Sequence, residues 1–393
     1  MGRSNRILTI CISLMSIVLV GIVYPVVGQD VREVRGRVID ATTGDPVPDA
    51  HVFYSGTTIG DSSDSEGYFK LPHPRVDQVD LIVSMLGYSG QKRRIERRSF
   101  DFTEQIFDLM PVVLDLAGVE VVGDIPKEWK RNLKRFEDLL FSTTEYGNKC
   151  EIENPEVLHL SYDYKNESIS ASARVPLRIV NRALGYHVTI IDIKLEGNER
   201  GYTFTGEFQF QELPSLSTKD QKKWEERRAK IYRGSMRHFL QALVSDRLED
   251  EGFAVYHVTR RGQALIDRPI AEMNVANPDS ESTARIVTPG SSPASRFITF
   301  SGALFIHNKR ENVPQVYYRH LERLTLRART NSNRRFGTSQ LSWLTLPLYS
   351  AEVDTSGIVF SDVLGFPIAH FGYWAWERFG EMLPTDYVPQ KKP

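Results

Sequence analysis

Nine histidines are scattered singly along the 393 residues. None stands at the H-E-x-x-H or H-x-x-E spacing with which a zinc hydrolase gathers its ligands. The G-x-S-x-G elbow of a serine hydrolase is absent, as are the glycine-rich loops that cradle phosphates. Ser235 and His238 are three apart, but at a predicted helix start, where a serine serves as the cap. The run Asp61-Ser-Ser-Asp64-Ser-Glu66-Gly67 offers alternating oxygens that invite calcium. Its spacing departs from a calcium loop, and the same residues suit a hairpin turn. We therefore expect no catalytic, cofactor or metal-binding residue. Two further groups could recognise a partner. Lys222, Lys223, Arg227, Arg228, Lys230 and Arg233 make one stretch strongly basic, a candidate surface for an anionic partner such as lipopolysaccharide. Trp374 and Trp376 could stack on a sugar, although beside Phe379 they suit a core.

The elements that would carry these residues fall into two parts. Around Gly36–Tyr88, short alternating runs separated by turn residues predict a small antiparallel β-sandwich. Val34, Gly36 and Val38 share one face and Arg35 and Arg37 the other; Ala50, Val52 and Tyr54 repeat the period, as do Val79, Leu81 and Val83. Gly44, Pro46, Asp64, Gly67 and Gly87 supply the turns, with Gly67 at positive φ and Asp64 accepting backbone N–H groups.

Beyond residue 127 the reading is an α+β domain with an antiparallel sheet and flanking helices. Trp129–Phe141 has helical spacing, and strands are predicted at Val157–Tyr164, Ser168–Val175, Leu177–Val180, Tyr186–Leu195 and Tyr202–Gln211. Ser217 and Thr218 are caps for a helix through Arg233, and Ser235 for one carrying Met236, Phe239, Leu240, Leu243, Val244 and Leu248. That second helix is expected to lie against the sheet ending at Gln211. Residues 267–295 read as an exposed loop insert, and Phe297–Ile306, Leu321–Ala328 and Gln340–Leu346 as strands. The lone cysteine past the leader, Cys150, reads as a half-buried structural thiol.

The first part resembles the carboxypeptidase-regulatory-like domain. The matching positions are Gly36, Val38, Asp40, Thr43, Gly44, Pro46, Ala50, Val52, Asp64, Gly67, Phe69, Leu71, Ser84, Gly87 and Tyr88. The resemblance implies a seven-stranded, prealbumin-type sandwich over 31–122, an accessory folding or binding module without peptidase chemistry. The ending through Val122 resembles the linker that follows this domain in TonB-dependent receptors, yet the remainder is too helical and loop-rich for a receptor barrel. Asn154–Leu158, Ala183–Tyr186, Arg233–Leu243, Glu251–Phe253 and the closing segment resemble Gram-negative envelope proteins that have no assigned activity, so no site residue carries over.

Arg3 and Arg6 before the apolar run Ile7–Val23 lay out a secretory signal, with cleavage expected after Gly28. An uncleaved anchor is the alternative, and either sends the remainder out of the cytoplasm. A net charge of -1 gives no pull towards nucleic acid. The functional expectation is a non-enzymatic periplasmic or cell-surface protein with a binding or assembly role, its partner an outer-membrane receptor or a surface glycan. The competing classes are an envelope glycan or peptide hydrolase and an accessory component of a TonB-dependent uptake complex.

Overall fold

Val34 and Val38 alternate with Arg35 and Arg37, and a strand that buries one face and wets the other is the outcome. The computed structural model describes residues 33–74, 76, 78–96, 104–112, 126–199, 201–215, 217–258, 283–324, 338–360 and 368–390. The expected leader 1–28 and the first sixteen residues of the expected insert, 267–282, lie outside them.

Seven strands build the first unit: β1 (Glu33–Asp40), β2 (His51–Tyr54), β3 (Gly60–Ser62), β4 (Tyr68–Pro72), β5 (Gln78–Ser84), β6 (Gln91–Glu96) and β7 (Gln105–Leu109). They form two sheets, β4-β1-β7 and β3-β2-β5-β6, closed over Val38, Val52, Tyr54, Phe69, Leu81 and Phe107. One pairing departs from the antiparallel expectation: β7 runs parallel to β1. Strand alternation alone carries no direction, so only the return path of the chain decides this.

Next come α1 (Lys127–Phe141), β8 (Cys150–Ile152), β9 (Leu158–Asp163), β10 (Ser168–Ala173), β11 (Leu177–Asn181), β12 (Tyr186–Asn198) and β13 (Gly201–Glu212). Helix α1 turns Phe136, Leu139 and Leu140 onto the sheet, where they join Ile179, Tyr186 and Val188. Each such side chain contributes roughly 1.5–3 kcal/mol on burial, before ordering costs. The long β12 changes phase midway. Tyr186, Val188 and Ile190 are buried, then Ile193 and Leu195. The register shifts between Ile191 and Lys194, and Asp192 takes φ 53, the signature of a bulge. The first half of β12 pairs with β11 and the second with β10, while β13 follows its full length.

Helices α2 (Thr218–Tyr232) and α3 (Met236–Val244) are capped by Ser217 and Ser235, whose side chains accept from the amides of Asp220 and His238. The chain then adds β14 (Phe253–Val258), α4 (Thr283–Ile286), β15 (Val287–Pro289), β16 (Ser295–Thr299), β17 (Ala303–Asn312), α5 (Gln315–Leu324), β18 (Ser339–Thr345), β19 (Ser350–Asp354), β20 (Ala369–Gly372) and α6 (Tyr373–Trp376). Two sheets result, β14-β17-β18-β20 and β15-β16-β19.

Three expectations are corrected here. Helix α3 packs not on the sheet ending at Gln211 but in a separate core, with Phe239 5.4 Å from Phe253 and 5.5 Å from Trp374. Gly234, at φ 85, turns the chain away after α2, and the Trp374 indole holds that turn by donating to its carbonyl at 2.7 Å. The stretch from Leu321 opens as the last turn of α5, because Val316, Tyr317 and His320 set a helical spacing after Pro314. Within the expected insert, Thr283–Pro289 forms α4 and β15, the latter pairing with β16.

The sandwich is joined to the rest by backbone. The β2–β3 turn meets the outer edge of β13: the Gly56 amide donates to the Phe208 carbonyl at 2.7 Å, and the Phe210 amide to the Thr57 carbonyl at 2.9 Å. From the other side, the Thr385 amide donates to the Gly56 carbonyl at 2.7 Å, and Asp386 accepts from the Thr58 amide and hydroxyl. Lys92 adds an ion pair to Glu207 at 2.8 Å.

Candidate functional site

The turn residues singled out from the sequence all serve backbone geometry. Gly44, Gly67 and Gly87 take φ 78, 80 and 87. Asp64 Oδ1 accepts from the amides of Glu66 at 2.9 Å and Tyr68 at 2.8 Å, and a Cβ on Gly67 would meet the Val38 carbonyl. Pro46 bridges to Ile39. Asp40 accepts from the Thr42 and Thr43 amides and from the Tyr88 hydroxyl at 3.0 Å. Those amides, Thr42 first, hold its carboxyl below the usual range. Among the described residues no three His, Cys, Asp or Glu side chains gather as a metal site would need.

The expected basic surface is divided. Lys222, Lys223, Lys230 and Arg233 are exposed on or just after α2, Arg227 is half-buried, and Arg228 turns inward. Arg228 is 7% exposed; Nε donates to the Leu184 carbonyl at 2.8 Å, and Nη2 to that of Gly185 at 3.1 Å. Its guanidinium lies 3.9 Å from the Tyr186 ring centroid. Arg227 reaches the Ala183 carbonyl and Trp224 that of Arg182. Arg228 therefore leaves the anionic-partner surface: its planar fork answers two carbonyls of the 182–185 turn at once, that of Gly185 also accepting from the Leu213 amide at 3.0 Å. Trp374 and Trp376 are core residues.

Two carboxyls in the closing segment hold their protons unusually tightly. Burial pushes Glu381, 7% exposed, up to about 8, against the lowering effect of Thr144 and the Arg378 amide. Glu377 keeps some surface in solvent but lies deep, beside the Tyr373 hydroxyl; desolvation and then the charge of Glu381 raise it well above the usual value. Burial likewise pushes Cys150 up to about 12, which leaves an unreactive thiol.

Open polar chemistry lies elsewhere, on the solvent face of the six-stranded sheet. Cross-strand register sets two rows there. One reads His159, Ser172, Lys194, Thr205 across β9, β10, β12 and β13. The other reads Ser161, Ser170, Glu196, Thr203. The rows are about 7 Å apart along the strands and about 14 Å long across them. Short Ser and Thr side chains floor a depression of about 520 Å³, above which His159, Lys194 and Glu196 stand. Among the described residues, only Thr203 of these eight uses its side chain in a hydrogen bond within the protein, a long one of 3.4 Å to the Glu196 carbonyl. Lys194 and Glu196, two apart on one face, make no ion pair.

The sequence reading missed this face. Its signal was the alternation of serine with Ile169, Ala171 and Ala173, and the phase step from Ile190 to Ile193 that aims Lys194 and Glu196 outward. Neither tells which strands become neighbours.

Comparison with known families matches residues 34–121 to the CarboxypepD_reg-like domain. The chain thus carries this non-catalytic type of domain over its seven-stranded sandwich. No curated protein matches the chain. Among the described residues no helix is long and apolar enough to cross a membrane.

Proposed function

We propose that the chain is a non-enzymatic, exported protein of a Gram-negative envelope with a binding or assembly role, working beside an outer-membrane receptor or a surface glycan. The observation that carries this reading is the contrast between the groups that chemistry would need and those left open. Asp40, Asp64 and Arg228 are engaged by backbone within the fold. The polar rows on β9, β10, β12 and β13 face solvent and, Thr203 apart, keep their side chains free of partners within the fold, as a recognition surface does. Export rests on the leader layout of Arg3, Arg6 and Ile7–Val23.

Glu377 and Glu381 are the groups a hydrolase would recruit as acid and base. Glu381 is sealed in the core, and neither residue borders the open depression, so binding is the better reading. Incubating the purified protein with peptidoglycan, envelope polysaccharide and peptide substrates tests it. No product should form, and multiple-turnover release of fragments would sink the non-enzymatic reading. Cell fractionation tests the location, the cytoplasmic fraction being the contrary result.

A further inference from the structure

We propose that the depression on the outer face of β9, β10, β12 and β13 binds a neutral or zwitterionic oligosaccharide laid across the four strands. This rests on the binding reading above and names its ligand class. The first argument is chemical. Ser161, Ser170, Ser172 and Thr205 present hydroxyls that both donate and accept, and none is engaged within the fold. A ligand that answers such a floor must itself carry many groups that donate and accept, and polyhydroxylated sugars do.

The second argument is electrostatic. Lys194 stands in one row and Glu196 in the other, neighbours on β12 with their charges unpaired. A polyanion would meet the carboxylate and a polycation the ammonium, each a like-charge contact. A ligand of no net charge meets neither penalty, and its hydroxyls gain charge-assisted hydrogen bonds from both groups. The third argument is shape. Outward side chains on the central strand β10 are all serine here, so the floor stays low beneath the longer chains of β12. The eight positions of the two rows carry no apolar side chain for a hydrophobic anchor: Leu160, Ala171 and Leu195 of these strands pack on the opposite, inner side.

The test uses the mature protein and an immobilised panel of neutral, zwitterionic, cationic and acidic oligosaccharides, with saturation-transfer NMR on the hits. Wild type should retain neutral or zwitterionic members. Lys194→Ala and Glu196→Ala should each weaken binding about tenfold, the loss of one charge-assisted hydrogen bond. Ser170→Trp should abolish binding by filling the floor, and tryptophan at an exposed strand position is compatible with the sheet. An unchanged circular dichroism spectrum and melting temperature show that Ser170→Trp is folded; were it not, the two alanine variants carry the test alone. Retention of no saccharide, retention of acidic or cationic members only, or saccharide binding indifferent to Ser170→Trp and to both alanine changes would each overturn the proposal. The envelope association of wild type and Ser170→Trp, compared in cells, separates the two readings. Association without any saccharide binding leaves the binding role standing and removes this ligand.

Discussion

The Arg228 guanidinium covers the ring of Tyr186 at 3.9 Å while donating to the two carbonyls that precede that residue, those of Leu184 and Gly185. One side chain thus fixes the turn that starts β12, the strand along which the central sheet is assembled. Gly185 belongs to the same arrangement: it takes φ 72, and a Cβ there would run into the Trp224 ring. Arg228 also meets Glu212 at 2.6 Å, but that carboxylate side chain is 63% exposed, so the pair adds little. The carbonyls dominate. Arg228→Lys should therefore cost about 2–4 kcal/mol, since an ammonium cannot span both carbonyls and stack on the ring. Glu212→Gln should cost under about 0.5 kcal/mol. Denaturant unfolding of the two variants checks the order, and equal losses would contradict it.

Gly67 and Asp64 separate a structural hairpin from a metal loop. Gly67→Val places a β-branched residue at φ 80 and drives a Cβ against the Val38 carbonyl, so a loss of about 3 kcal/mol or more is expected. Asp64→Asn keeps the oxygen that accepts from Glu66 and Tyr68 and should cost under about 1 kcal/mol. Thermal melts with calcium and with chelator should coincide for wild type and Asp64→Asn. A chelator-sensitive wild type would make the loop a metal site.

What the sequence disclosed follows from how locally each feature is determined. The sandwich strands were legible because turns at Thr43–Pro46 and Asp64–Gly67 bracket strict alternation, and a turn is decided within four residues. Helices α1, α2 and α3 were legible from caps and stripes. What α3 packs against was not, since an apolar stripe records that a face is buried and not by which sheet. Arg228 looked like its neighbours on a basic helix; its inward turn depends on carbonyls more than forty residues earlier. The expected strand Leu321–Ala328 misled over Leu321–Leu324, because the spacing that makes these four the end of a helix lies just upstream at Val316 and His320; residues 325–328 lie outside the described residues. The polar rows were the least legible. They exist only through cross-strand register, and one bulge at Ile191–Lys194 decides which face Lys194 and Glu196 occupy.

The joint between the sandwich and the rest should yield to a single change. Asp386 accepts from the Thr58 amide at 3.1 Å and from its hydroxyl at 2.5 Å, across 328 positions of sequence. These bonds are exposed, so Asp386→Ala should cost only about 0.5–1.5 kcal/mol globally. Locally the effect should be larger. Hydrogen exchange at the Thr58 and Gly56 amides should accelerate at least several-fold while the β2 amides of Val52 and Phe53 stay protected. Uniform acceleration across the sandwich would mean that the joint stabilises the whole domain rather than its docking.

Glu381 gives the protein a pH dependence whose sign is fixed by its raised proton affinity. In the unfolded chain the carboxyl ionises near the ordinary glutamate value of 4.5, and in the fold it holds its proton up to about 8. Between those values the native state carries a proton that the unfolded state has lost, so stability falls as pH rises and levels off above about 8. The slope is on the order of 1.4 kcal/mol per pH unit for a full proton. Glu377 shifts in the same direction and adds to it. The cause is local: Glu381 Oε1 is buried without a hydrogen-bond partner among the described residues, and Arg378, whose charge offsets the burial only in part, gives its guanidinium to the carbonyls of Asp138 and Leu139. Ionisation would leave a carboxylate in the core with no counter-charge of its own. Glu381→Gln keeps the shape and removes the proton equilibrium. Its denaturation midpoint should therefore exceed that of wild type at pH 8.5 and approach it at pH 5, with the residual slope assigned to Glu377 by the Glu377→Gln variant. A wild-type midpoint that rises from pH 5 to 8.5, or a Glu381→Gln curve parallel to it, would show that Glu381 is ionised in the fold.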